Sequence, residues 1–587
     1  MENPDRLHHI RHTLAHLLAM AAKTHDPDVR LGIGPVTDDG FYYDFLFSPG
    51  KTPTPEDLGT LEKTMRSLIG RALDMTGESM SLGDAKKRFA DQPFKVELLE
   101  EFAADGKTLT AYTLGDFTDL CRGGHVENTK EIPADAFQLT RIAGAYWRGD
   151  AKNPMLTRIY GYAFGSKKEL NAHVTLIEEA KKRDHRKLGK ELGLFVFSEL
   201  VGPGLPLWTP KGTIVRELLN DYVWELRKKR GFVKVTIPHI TKKDLYETSG
   251  HWKKFAEELF KIETREGHLY AMKPMNCPHH TQIFAAEPRS YRDMPQRYAE
   301  TTMVYRDEQS GELSGLARVL SITQDDAHVF CRESDIESEI YAIWDIIDIF
   351  YGTFGFGDLT VRFSRHDPSD FQKYLGTKEV WDKAESAIKR LIEKRGKTFL
   401  DGVGEAAMYG PKIDFMAKDS LGRTLQVATI QLDFNQPKNF GLVCTNEKGE
   451  KEPIVMIHCA IMGSIERFTA AMLEHTAGNL PFWLAPEQIR VLPIGEAHRS
   501  AAENLVAKLK DIGIRATLSP DGDSLGKRVR DTKLAKVPAW AVIGDKEAAA
   551  DSSSLETRDG ALKRTFTSTE LCEALSAADR ARKAGIE

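Results

Sequence analysis

Cysteine is scarce in this chain and unhelpfully placed for cross-linking. The six cysteines among 587 residues, at 121, 277, 331, 444, 459 and 572, are widely scattered with no paired spacing. That excludes a secreted disulfide scaffold and points to a reducing cytoplasm. Long hydrophobic runs are missing too: no stretch of about 18 apolar residues exists to span a membrane. The opening MENPDRLHHIRH has no apolar core of the kind a signal peptide needs. These absences predict a soluble, untargeted, cytoplasmic protein without a membrane partner. A strong charge bias is lacking as well, the net charge being −5. A nucleic-acid partner must therefore be held by local basic patches, of which KKRDHRK (181–187) and RKKR (227–230) stand out. Each is equally consistent with a solvated helix face.

What is present suits a globular protein: 41% hydrophobic and 28% charged residues over a length that calls for about three or four domains. Residues 7–23, LHHIRHTLAHLLAMAAK, predict an amphipathic helix with His12 and His16 stacked four apart on one face. Downstream, Asp119-Leu-Cys121-Arg-Gly-Gly-His125 is a tight glycine turn carrying an acid, a thiol and an imidazole. HxxxH followed by CxxxH is compatible with a four-ligand zinc set. It is equally compatible with a metal-free hydrolytic pocket in which imidazoles and a carboxylate deprotonate a water. Residues 32–47 read as a strand pair around a turn and 55–74 as a surface helix. The aromatic-rich 143–164 closes the first unit, and the charge-dense 166–192 reads as one connecting helix.

The next unit is organised around Tyr305–Phe330, YRDEQSGELSGLARVLSITQDDAHVF. Arg306 and Glu308 share a face if that segment is extended, and a polar loop (310–315) leads to Arg318. Gln324, Asp326 and His328 then alternate onto one strand face, so an amide, an acid and an imidazole line one pocket. Alone, the stretch reads more readily as an antiparallel hairpin with a solvated polar face. Before it come a helix over TIVRELLNDYVWELRKKR, a stop at Gly231 and a strand FVKVTIPHI with Pro238 at an edge or interface. His251 stands in SGHWKKF and Cys277 in KPMNCPHH. After it come a helix over 333–350, a strand TVRFSRH, a helix over 379–395, and a strand-rich stretch carrying Tyr409, Lys412, Gln426 and Gln431. In VMIHCAIMGSIERF, His458 closes a strand, Gly463-Ser464 makes a tight junction and Arg467 enters a helix. The tail alternates short apolar strands (IRVLPIG, RATLS, AWAVIG) with amphipathic helices, as in a small α/β domain with a partly parallel sheet.

Together, the Arg306/Glu308 hairpin, the helix-strand unit ending at Pro238 and the strand-glycine-helix junction with Arg467 resemble the three signature motifs of class II aminoacyl-tRNA synthetases. Within that class the chain is most similar to the bacterial threonyl-tRNA synthetase family. MNCPHH, TQDDAH, YGPKIDF, TIQLDF, DLCRGGH, AGAYWRGD, AKKRDHRKLGKEL and SGHW carry the resemblance from residue 7 onward. It implies a multidomain α+β protein with an α+β editing domain over 1–165, a linker helix over 166–192 and a class II catalytic domain over 193–486. The last is an antiparallel sheet flanked by helices, and an α/β anticodon-binding domain follows over 487–587. It implies a homodimer formed through the Pro238 region.

The resemblance also assigns roles. Arg306 binds the α-phosphate and the amino-acid carboxylate, with Gln324 assisting; Lys412 and His251 complete the catalytic set. Glu308 reads the adenine amino group, Arg318 holds the terminal phosphates, and Gln426, Ser464 and Arg467 complete the ATP site, with Mg2+ accompanying ATP. Cys277, His328 and His458 match the family's Zn2+ ligands. Asp326, Tyr409, Gln324, Gln431 and Met275 surround L-threonine. His12, His16, Lys95, Asp119, Cys121, His125 and Tyr43 form the site that hydrolyses seryl-tRNA(Thr), with tRNA(Thr) the partner of the whole enzyme.

Several positions depart from the family's usual pattern. Bacterial members of the family usually carry a small domain before the histidine helix, which here starts by residue 7. Cys459 stands where Arg is common, Val427-Ala428 where Cys-Gly is usual, VLSI at 319–322 where a charged or glycine residue is more usual, and Glu556 where Arg is expected.

Overall fold

The computed structural model describes residues 4–586. The chain divides into two compact units, Met1–Glu178 and Glu179–Glu587, and the division falls inside the helix Lys167–Arg183.

In the first unit, the helix Pro4–His25 buries Leu14, Leu17, Leu18, Ala21 and Ala22, the i, i+3, i+4, i+7 stripe its sequence prescribes. That stripe meets the helix Leu58–Gly70, whose Leu61, Met65 and Leu68 belong to the same core. The helix expected on the surface over 55–74 is thus half-buried, and shorter than expected. The strand pair expected over 32–47 is present as Val36–Thr37 against Gly40–Leu46, within a five-stranded sheet that includes Phe137–Tyr146 and Met155–Ala163. A separate three-stranded antiparallel sheet, Met75–Ser79, Thr110–Leu114 and Phe117–Leu120, delivers Asp119 to the turn beyond it. Gly123 and Gly124 hold φ of 96° and 83° there, and a Cβ on Gly123 would lie 2.6 Å from the Tyr112 hydroxyl. Glycine is therefore required at that turn on both counts.

In the second unit an eight-stranded sheet runs in the order Val233–Lys234, Gln296–Tyr305, Ser321–Cys331, Val455–Ala460, Thr424–Asp433, Lys412–Lys418, Thr360–Arg365, Phe399–Val403. Its six central strands are antiparallel and each edge strand is parallel to its neighbour. Period-2 alternation sorts the side chains. Ala327, Val329, Ile430, Leu432, Ile457 and Cys459 pack with the helices Pro210–Lys228, Ile336–Thr353, Lys378–Lys394 and Ile465–Thr476 in one core. Gln324, Asp326, His328, Gln431 and His458 occupy the opposite face. A second, five-stranded sheet lies toward the C-terminus, with Ala516–Leu518, Ile489–Pro493 and Ala539–Ile543 parallel, then Ser552–Thr557 and Lys563–Thr567 antiparallel. This is the partly parallel sheet expected from the tail.

Three local expectations need correction. The connecting helix over 166–192 is broken at Asp184, whose backbone leaves the helix (φ −51°, ψ 120°) and whose carboxylate caps a second helix, His185–Glu191, by accepting from Arg186 N–H at 2.8 Å. The strand over FVKVTIPHI is not continuous: Val233–Lys234 pairs in the eight-stranded sheet and Ile240 pairs with Met272 elsewhere. Pro238, with no N–H to give, lies between Val233–Lys234 and Ile240–Lys242, which joins a different three-stranded sheet. Finally, Arg306 and Glu308 lie beyond the end of the strand Gln296–Tyr305, so a shared strand face does not place them.

Candidate functional site: two joined chambers and a second cluster

The polar face of the central sheet opens into two adjoining cavities. The larger, of about 680 Å³, is lined by Arg306, Glu308, Arg318, Gln324, Gln426, Gln431, Ser464 and Arg467. The smaller, of about 170 Å³, is lined by Met275, Cys277, Asp326, His328, Tyr409, Lys412 and His458. Arg306, Gln324 and Gln431 line both, so a guanidinium and two amides stand at the junction. Of the residues expected at this site from the sequence, only His251 lines neither cavity. It is fully buried, with Nδ1 2.8 Å from Ser249 Oγ and Nε2 3.1 Å from Met275 Sδ. Burial, with His458 and Arg306 adding, pushes its pKa down to about 3, so it supports the Met275 wall as an uncharged ring.

In the large chamber, Glu308 and Arg318 pair with each other, Nη2 to Oε2 at 2.6 Å, and Arg318 reaches Glu312 at 3.1 Å. Arg467 is exposed in the first turn of Ile465–Thr476, whose N-cap Ser464 accepts from the Arg467 N–H at 3.1 Å. Gln426 is fixed from below, its Nε2 donating to Asp414 Oδ1 at 2.9 Å. Gly463 (φ 75°) turns the backbone here, and its carbonyl accepts from Asp325 N–H at 2.8 Å.

In the small chamber, Cys277, His328 and His458 are all buried, and their ligand atoms lie within 4.8 Å of one another. Each imidazole is oriented through its other nitrogen: His328 Nδ1 sits 2.8 Å from His280 Nδ1, and His458 Nε2 sits 3.0 Å from Asp433 Oδ2. Such outer partners are what metal-ligating histidines require, and a thiol with two imidazoles is a borderline-soft donor set that suits zinc. Burial pushes the Cys277 thiol well up and the His328 imidazole well down; a cation bound between them would favour the thiolate the set needs. Around this trio, Tyr409 stacks on His458 at 4.5 Å and donates to Gln431 Oε1 at 2.6 Å. Asp326 accepts from Asn276 Nδ2 at 2.9 Å. The sequence reading missed the supporting groups His280, Asp433 and Asn276. The only trace of them is polar character at buried positions beside motif residues, in NCPHH and QLDF.

The first unit holds a second cluster. His12, His16, Cys121 and His125 bring their ligand atoms within 4.8 Å of one another, with Cys121 Sγ 3.3 Å from His12 Nε2 and 3.2 Å from His125 Nε2. Beneath them Asp119 is buried against Lys95 (Nζ to Oδ1, 2.6 Å) and the Tyr43 hydroxyl (2.6 Å). Burial alone would raise the Asp119 carboxyl, but Lys95, His16 and the two hydrogen bonds outweigh it and hold the carboxyl low. His16 is lowered to about 4 and His125 to about 2, chiefly by burial, and Cys121 is raised to about 11. The pocket thus combines one carboxylate with three imidazoles, of which at least two are neutral. All seven residues expected for this site fall within it.

Comparison with known proteins fits this architecture. The tRNA synthetase class II core domain (G, H, P, S and T) matches residues 260–476, an anticodon binding domain matches 488–578, and the threonyl and alanyl tRNA synthetase second additional domain matches 109–160. The antiparallel sheet with its two chambers is thus that of a class II aminoacyl-tRNA synthetase. The threonine-tRNA ligase of Deinococcus radiodurans is 45% identical over 558 residues, 94% of this chain and 85% of that protein. That of Thermosynechococcus vestitus is 43% identical over 586 residues, 98% and 95% respectively. A crystal structure of the RNA binding domain of threonyl-tRNA synthetase from Cryptosporidium parvum superposes with a TM-score of 0.64 at 36% identity, covering 67% of this chain and 98% of that one. The chain belongs to the threonine-tRNA ligase family.

Proposed function

We propose that this enzyme activates L-threonine with ATP and transfers it to tRNA(Thr) in the two chambers, and clears seryl-tRNA(Thr) in the histidine pocket of the first unit. The observation that carries the reading is the sharing of Arg306 and Gln324 between a nucleotide-sized cavity and a small polar one. Adenylate formation joins a carboxylate to an α-phosphate, and the joint needs a cation that bridges both. A guanidinium has the planar fork for it. In the large chamber Glu308 accepts from the adenine amino group, Arg318 holds the terminal phosphates with Mg2+, Arg467 lies against the base, and Gln426 and Ser464 complete the walls. The Glu308–Arg318 pair opens when nucleotide enters, each partner exchanging the other for the ligand.

Cys277, His328 and His458 would hold Zn2+, which would supply a Lewis acid for the amino and hydroxyl groups of the substrate. Asp326 accepts from the side-chain hydroxyl, while Tyr409, Gln431, Met275 and Lys412 close the chamber around the substrate. An apolar pocket separates threonine from its isostere valine by only roughly a hundredfold, whereas a site that must engage a hydroxyl rejects the analogue lacking it far more strongly. Serine keeps the hydroxyl and is one methyl smaller, a difference of only about 1–3 kcal/mol, so it leaks through. The Asp119–Lys95–Tyr43 group with His12, His16, Cys121 and His125 corrects the leak by positioning water without a metal. The four-residue helix of His251, His251–Lys254, buttresses Met275 from outside. Residues 1–165, 166–192, 193–486 and 487–587 then serve as editing, linking, catalytic and anticodon-binding segments. Homodimerisation through the Pro238 region is supported by the exposed edge strands on either side of it, with Val233 51% and Ile240 49% accessible. Such a catalyst works in the cytoplasm.

Metal analysis beside threonine-dependent ATP–pyrophosphate exchange tests this. The purified enzyme should carry about one zinc per chain in the catalytic unit, and Cys277→Ala should lose both zinc and exchange while keeping its circular dichroism. A folded, zinc-free wild type that still exchanges with threonine would contradict the reading.

A further inference from the structure

The basic run KKRDHRK invites a nucleic-acid reading, but its central residues are engaged inside the protein. Arg183 donates to the carbonyl of His475 at 3.1 Å and to Ser420 Oγ at 2.9 Å, satisfying the open C-terminal end of the helix Ile465–Thr476. Asp184 holds Arg186 at 2.6 Å. Between them His185 is only 4% exposed and bridges two parts of the large chamber. Its Nδ1 lies 2.7 Å from Glu474 Oε1, at the end of the helix that begins with Arg467. Its Nε2 lies 3.0 Å from the backbone N of Leu316, in the loop that carries Arg318. A carboxylate and a backbone N–H leave one assignment: Nδ1–H donates to Glu474, and Nε2 accepts from Leu316.

The loop is built to meet this ring. Leu316 is fully buried, and Ser314 and Arg318 exchange backbone hydrogen bonds at 3.1 and 3.3 Å around it. Gly315 adopts φ 51°, and a Cβ there would fall 2.3 Å from His185 Nε2 and 2.7 Å from Arg186 Cγ. A side chain at 315 would therefore collide with the His185 ring. His185, Arg318 and Glu474 all line the large cavity.

We propose that His185 is a positioning residue for ATP: through Leu316 it fixes the loop that presents Arg318, and through Glu474 it ties that loop to the helix that presents Arg467. The inference rests on the reading of the large cavity as the nucleotide chamber. The two bonds can be separated chemically. In His185→Gln the amide oxygen reaches the Nε2 position and can still accept from Leu316; in His185→Asn the amide nitrogen stands at the Nδ1 position and can serve only Glu474.

Steady-state ATP–pyrophosphate exchange, with ATP and threonine varied separately, is the test. His185→Asn should raise the KM for ATP about tenfold, the worth of a well-made hydrogen bond in a preorganised loop, with the KM for threonine within about twofold. His185→Gln should stay within about threefold of wild type. Gly315→Ala, whose Cβ would collide with His185 Nε2 and so displace the loop while residue 185 itself stays histidine, should reproduce the Asn phenotype. The proposal is overturned if Asn and Gln behave alike, if both KM values rise together, or if the variants lose only thermal stability. Should the wild type itself show no ATP-dependent exchange, it is the nucleotide reading that falls.

Discussion

At the scale of single residues, the hydrolytic chemistry proposed for the first unit turns on Lys95. It is 2% exposed and forms a 2.6 Å ion pair with Asp119; without it a buried carboxylate would face only neutral imidazoles and a phenol. Removing one partner of a buried pair typically costs about 3–5 kcal/mol or neutralises the survivor. Lys95→Met should therefore leave Asp119 protonated and slow the release of serine from pre-charged seryl-tRNA by about tenfold or more, as expected for loss of a positioned acid–base group. Threonine-dependent exchange should be unchanged. Serine release within twofold of wild type would remove Asp119 from the chemistry. Much of this site was legible, because His12 and His16 are one helical turn apart and Cys121 and His125 share one glycine turn. Lys95 and Tyr43 were not: they come from a helix and a strand with no local signal, and only the family resemblance supplied them. The trio of Cys277, His328 and His458 was illegible for the same reason, its members lying at a helix start and on two strands.

At the scale of elements, the junction after the strand Val455–Ala460 is held by a buried carboxylate. Asp325 accepts from the N–H groups of Ile461 and Met462 at 3.0 and 2.9 Å, its own N–H bonds Gly463, and its partner is Arg227 of the helix Pro210–Lys228. Arg227 is 1% exposed and donates to the Cys459 carbonyl at 3.4 Å. The Cys459 side chain points to this helix-packed face, so the arginine usual at that position in the family would meet a guanidinium already in place. Arg227→Met should destabilise the enzyme by about 3–5 kcal/mol, read by denaturant unfolding, because Asp325 is left unpaired. Arg227→Met with Asp325→Asn should recover part of that loss. A single variant as stable as wild type would show that the pair does not hold the junction. The alternation that put Gln324, Asp326 and His328 on one face could be read in advance, since strand periodicity is local. The role of Arg227 could not: RKKR looks like a solvated patch until helix packing buries one of its four members.

At the scale of the whole molecule, family-level order was plain in the sequence, while helix breaks and sheet membership depended on long-range pairing. Asp184 splits the connecting segment because its side chain caps the helix His185–Glu191, and the Pro238 strand divides between two sheets because proline cannot continue the ladder. In the proposed function one chamber recognises a hydroxyl through a metal beside a nucleotide site, leaving serine to be corrected elsewhere. ATP–pyrophosphate exchange with threonine, serine and valine in turn, before and after zinc chelation, tests it most directly. The expected result is strong exchange with threonine, weaker exchange with serine, none with valine, and loss of all of it on chelation. Valine exchanging as well as serine, or threonine exchange that survives complete removal of zinc, would contradict it.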